Sequence, residues 1–201
     1  MASILTSLRN TVIAGFVLAT VLLIIYAQIH MGVFDHNFGA FVLRYLHVLA
    51  GIMWIGILYY FNFVQIPNMP NIPDEQKPAI GKVIAPAALW WFRWGAMITI
   101  ISGLLLAAAN GYLVEAITIG ASEGFVVEKH TMIGIGMWLG TIMWFNVWFV
   151  IWPNQKRALG IVEADADTKA ASARTAMLFS RTNTMLSVPM LFSMVAAQNL
   201  Y

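Results

Sequence analysis

The chain has 201 residues, 60% of them hydrophobic and only 10% charged, with a formal net charge of +2 and a mean hydropathy of +0.77. Soluble domains carry about 25% charged residues, so this chain has too little polar surface to face water on all sides, and lipid is its expected outer solvent. Its basic residues stand singly along the loops, which argues against a nucleic-acid surface, and the absence of cysteine excludes disulfides, thiolate metal sites and haem attached through Cys-x-x-Cys-His.

A membrane-spanning helix needs about 20 mainly apolar residues. The pattern predicts an all-α membrane protein, one transmembrane domain over residues 1–201 with five spans. The first covers 11–29. Its apolar run is longer than the core of a signal peptide and lacks a small-residue cleavage site, so it reads as a retained helix. The second covers 41–66 and stops at PNMPNIPDEQKP (67–78), whose prolines break a helix.

Two starts compete for the third span. Beginning near Ile84 would put Arg93 in hydrocarbon, at a cost of at least ~2.5 kcal/mol. Alternatively LWWFRW (89–94) is an interfacial belt, because Trp favours the membrane surface. The expectation is the second form, a span over 91–117 with 79–90 lying on the surface. The fourth span covers 129–152 and the fifth 174–197. Between them PNQKRALGIVEADADTKAASAR (153–174) carries both signs of charge and is expected in water.

With five spans, Arg9, Lys77, Lys82, Lys156, Arg157, Lys169 and Arg174 fall on one side, and Arg44 and Lys129 on the other. The excess of Lys and Arg on the cytoplasmic side predicts N-terminus in and C-terminus out, in a bacterial inner (plasma) membrane. The aromatic-rich surface and small extramembrane mass predict other membrane subunits or a second copy as partners, besides lipid.

Four histidines are the main candidates for chemistry. His47 lies in RYLHVLAGIMWIG, with Gly51 four residues on and Trp54 seven on, all on one helical stripe. The small residue leaves room for a flat macrocycle; the plainer role is an interhelical hydrogen bond. His130 opens KHTMIGIGMWLG, with Gly134 in the same relation, while Gly136 and Gly140 are spaced for close helix packing. Two histidines at similar depth, each with a glycine one turn on, suit axial ligation of haem b by His47 and His130, with Gly51, Gly134 and Trp54 around it. His30, Met31, Asp35 and His36 form a looser outer cluster whose ligands copper would accept, though a polar loop explains them as well. On the inner side Asn146, Asn154, Gln155, Arg181 and Asn183 are expected to pair with each other or with Asp165 and Asp167. A quinone or anionic substrate is the other reading there.

HVLAGIMWIG (47–56), HTMIGIGMWLGTIMWFNVWFVIWPNQK (130–156) and NTMLSVPMLFSM (183–194) together resemble the membrane domain of the cytochrome-c-linked urate oxidases, and WFRWGAMITIISGLLL (91–106) does so more loosely. The segment around His47 also resembles the membrane protoporphyrinogen oxidases and copper-resistance membrane proteins, a group that in part binds haem b. The resemblance implies that His47 and His130 match family histidines. It departs where KVIAPAALWWFRW (82–94) replaces a His-Gly-rich motif, where Thr182 and Gln198 stand for histidines, and in that no cytochrome c domain follows. The expected function is a haem b-binding electron-transfer subunit serving a cytochrome c, a quinol or a larger complex. The alternatives are a cofactor-free accessory subunit and a membrane oxidoreductase related to urate oxidase.

Overall fold

The computed structural model describes residues 2–29 and 35–201. It divides into two compact units, Met1–Phe41 and Val42–Tyr201, and its described residues are helices joined by turns.

In the first unit, α1 (Leu8–Ile29) is a 22-residue helix with no buried residue. Ser7 caps it by accepting the Asn10 N–H, which starts the helix one turn before the expected 11. At 1.5 Å per residue it is about 33 Å long, enough to cross a hydrocarbon layer of about 30 Å.

α2 (His36–Tyr59) begins at Asp35, whose side chain accepts the Phe38 N–H at 2.9 Å. Hydrogen bonding to the charged form keeps the Asp35 carboxyl below its ordinary pKa. The helix continues through a wider π turn, Tyr60–Gln65. α3 (Ala85–Ala109) is likewise preceded by a π turn, Ile80–Ile84. α4 (Leu113–Ile117) is a single short turn. α5 (Glu128–Phe145) passes through a third π turn, Asn146–Ile151, into Trp152–Ala158. Each π turn ends just before Pro67, Pro86 or Pro153. Proline has no N–H to give and its ring strikes the carbonyl four residues back, so widening the turn removes the clash without ending the helix. α6 (Ala166–Asn199) is the longest element at 34 residues and starts on an Asp165 cap.

Two expectations need correcting. The third helical stretch is continuous from Lys77 to Ala109, so 79–90 is no separate surface helix and the 91–117 range is displaced. It stops because Asn110-Gly111 makes a C-terminal cap. Gly111 takes φ +76, and the N–H groups of Gly111 and Tyr112 return to the carbonyls of Ala108 and Ala107. Arg93 therefore sits within the helix, buried, with its guanidinium 3.4 Å from the centre of the Trp152 ring.

The second concerns the number of spans. Among the described residues four helices are long and apolar enough to cross a membrane: Leu8–Ile29, His36–Asn71, Lys77–Ala109 and Glu128–Ala158. The fifth region, α6, is long enough but less apolar, because its buried face carries Ser172, Ser180, Asn183, Ser187 and Ser193. This face packs against α5, so the polar side chains meet protein. The inner core joins Trp54, Leu58, Phe61, Leu89, Phe92 and Met143. A smaller cluster gathers Ala107, Tyr112, Ala116, Ile133 and Ala197.

Candidate cofactor cavity

Between α2, α3, α5 and α6 lies a cavity of about 570 Å³. Its α2 wall repeats at helical spacing: Arg44, His47, Gly51 and Trp54 form one stripe. Glycines hold the space open. A Cβ at Gly56 or Gly140 would meet nothing within 4 Å, and one at Gly51 only Thr99 Cγ2 at 4.0 Å. The lining also includes Met137, Met190 and Met194. Thr99 and Thr141 line the wall mid-helix. Arg44, Tyr112, Gln198 and Asn199 come from the N-terminal half of α2, the turn after α3 and the end of α6, so these four polar residues gather at one end.

His47 is held in place. Its Nδ1 lies 2.9 Å from the Thr99 carbonyl oxygen. A carbonyl only accepts, so Nδ1 carries the hydrogen and donates it, which leaves the neutral ring's lone pair on Nε2. Gly103 makes the seat: a Cβ there would stand 2.9 Å from His47 Cε1. A donor bond from one ring nitrogen to a backbone carbonyl is the usual way a ligating imidazole is oriented. The indole Nε1–H of Trp54, also in this wall, is buried without an acceptor.

The structure does not bring His130 and Gly134 to this cavity. His130 Nδ1 lies 2.7 Å from Glu123 Oε1, and its ring stacks on Tyr112 with centroids 5.6 Å apart. A Cβ at Gly134 would fall 2.5 Å from the Ala116 carbonyl oxygen. Because the α3 helix ends at Ala109, α4 folds back over the first turns of α5 and covers the face that carries both residues. The small size of Gly134 serves the α4 contact. Of the five residues singled out, His47, Gly51 and Trp54 line one space, and His130 and Gly134 serve another contact.

Sequence reasoning missed Thr99, Gly103, Arg44 and Tyr112. Gly103 left a trace as a lone small residue in IISGLLL, but which side chain faces it depends on helix register. His30 and Met31 of the expected copper cluster lie outside the described residues. Among the described residues no group of three or more His, Asp or Glu side chains is placed to hold a metal ion.

The inner polar residues pair as cross-helix bridges. Asn146 donates to Asn183 at 2.8 Å, and Asn183 donates to the Met143 carbonyl at 2.9 Å. Asn62 donates to Ser180 and Tyr59 meets Ser187. Asp165 has no part in this; it caps α6 through the Thr168 N–H.

No curated protein and no solved structure matches the chain. Residues 105–200 match the family model described as urate oxidase N-terminal, so the stretch from the end of α3 through α6 is similar to that urate oxidase-related family.

Proposed function

We propose that the chain is a haem b-binding subunit of a bacterial inner membrane that carries electrons between a larger complex and a cytochrome c or quinol, with His47 as the protein ligand to iron. The observation that supports this best is the His47 imidazole, oriented by Thr99 with its Nε2 lone pair unused, in the wall of a glycine-lined cavity. Pockets for small ligands and cofactors measure about 300–1,000 Å³, and this one falls inside that range. Haem, when bound, supplies a one-electron couple. His47 would ligate it, Gly51 and Gly140 would leave room for its plane, and Arg44 with Tyr112 would face its carboxylates at the polar end. A thioether of Met137, Met190 or Met194 is the second ligand this cavity offers; His130 is not part of its wall.

Insertion in the membrane with the N-terminus in and the C-terminus out, and kinship with the cytochrome-c-linked branch of the urate oxidases, belong to the same proposal. The apolar helices support insertion, α6 would be the fifth crossing that opposite termini require, and the match over 105–200 supports the kinship. A reduced-minus-oxidised absorption spectrum of the purified protein tests the cofactor. Haem bands that vanish in His47→Ala and persist in His130→Ala are expected, and a featureless spectrum from haem-replete cells would overturn the reading.

The second reading, a cofactor-free accessory subunit, draws on the closed His130–Glu123 pair and predicts that featureless spectrum. The third, an oxidoreductase related to urate oxidase, draws on the family match and is tested by urate consumption in membranes that contain the chain.

A further inference from the structure

The end of the bundle away from His47 holds a charge without a counter-charge. Arg93 is 9% exposed, and its Nη1 is buried with no hydrogen-bond partner. The guanidinium lies 3.4 Å from the centre of the Trp152 ring, and Lys156 Nζ lies 5.6 Å from the same centre. Neither cation forms an ion pair among the described residues; Asp74, an acid in the loop before α3, is taken by Lys77 at 2.6 Å. A buried guanidinium is costly unless its donors are met, and stacking on an indole offsets its charge but accepts no hydrogen bond along the N–H directions.

Depth identifies what could meet it. The helical run Lys77–Ala109 has 33 residues, about 50 Å, against about 30 Å of hydrocarbon. Trp90, Trp91 and Trp94 are exposed, and tryptophan marks the membrane–water boundary. Trp90 to Ala109 then accounts for about 29 Å, one hydrocarbon thickness. Arg93 lies one turn inside that boundary, within reach of lipid phosphates. From this juxtaposition of Arg93, Trp152 and Lys156 we propose a binding site for a phosphate group, delivered by an anionic lipid headgroup of the cytoplasmic leaflet. Basic pockets between helices on this side hold anionic lipids in the same way. The site is independent of any cofactor at His47.

Native mass spectrometry of the protein, purified from vesicles of phosphatidylcholine with phosphatidylglycerol, tests this. Arg93→Gln and Lys156→Gln should each lower retained phosphatidylglycerol roughly tenfold or more, since each removes a charge-assisted hydrogen bond. Lys129→Gln, on the other side of the bundle, should retain it. Lys156 is only half-buried, so its variant keeps the test valid should Arg93→Gln not fold. Inorganic phosphate that fails to displace the lipid assigns the headgroup as the source, and displacement assigns the same site to the free anion. Unchanged retention in Lys156→Gln, or phosphatidylcholine held as tightly, would overturn the proposal.

Discussion

The two ends of the Val42–Tyr201 unit solve opposite problems with similar residues. Around His47 the helices are held apart: Gly51, Gly56 and Gly140 line open space. Around Asn183 they are drawn together, and Trp54, Leu58, Met143 and Val147 are almost wholly buried. Small and polar side chains appear in both. In the first they hold a cavity; in the second they bridge helices, as Asn146–Asn183 and Asn62–Ser180 do. A glycine or an asparagine in a membrane-type helix therefore has no fixed meaning. Its neighbour across the interface decides.

The largest effect should come from the residue shared by both ends. Trp54 is 1% exposed and belongs to the inner core and to the cavity wall. Trp54→Ala should cost about 3–5 kcal/mol, measured by denaturation in mild detergent. A cost under about 1 kcal/mol would mean that the two regions are not joined through it.

Next comes the inner bridge. Asn183→Ala leaves Asn146 and the Met143 carbonyl without their partner and should destabilise by about 1–3 kcal/mol. The double variant with Asn146→Ala should cost less than the sum of the singles, because both remove one interaction.

The glycines separate the ends directly. Gly103→Ala crowds the His47 ring and should cost about 1–3 kcal/mol, with displacement of His47 from Thr99 visible in imidazole NMR. Gly140→Ala puts its methyl into the cavity and should leave stability nearly unchanged. Equal costs would show that the cavity closes.

The smallest effect lies outside both ends. The Thr168 N–H and hydroxyl hold the Asp165 carboxyl below its ordinary pKa. A folded pKa below the unfolded one adds stability that is present above about pH 4 and is lost as pH falls through the folded value. Asp165→Asn should flatten that part of the acid-denaturation curve, lowering stability slightly at neutral pH and leaving it almost unaffected below the folded pKa.

Some of this was legible in the chain and some was not. The helices at 11–29, 41–66, 129–152 and 174–197 were readable from apolar length, with ends shifted by caps and proline turns. The third was misread because Arg93 was charged a membrane cost that stacking on Trp152 offsets, which moved the expected span past the Asn110-Gly111 cap. That single error hid α4, and with it the reason His130 and Gly134 turn away from His47. On α2, by contrast, the stripe from His47 through Gly51 to Trp54 could be read locally, since one helix's spacing decides it.

By itself the sequence determined the apolar helices, the turns widened ahead of Pro67, Pro86 and Pro153, and the His47 stripe, because each depends on residues within a few turns of one another. Only the tertiary structure decided which faces meet. In a soluble helix the polar face points outward and reveals the buried one. Here the exposed and the buried faces are both apolar, so α2, α3 and α5 carry little sign of orientation, and pairing rests on Gly95 against Trp54, Gly103 against His47 and Asn183 against Asn146. Those contacts join residues dozens of positions apart, and only packing selects them.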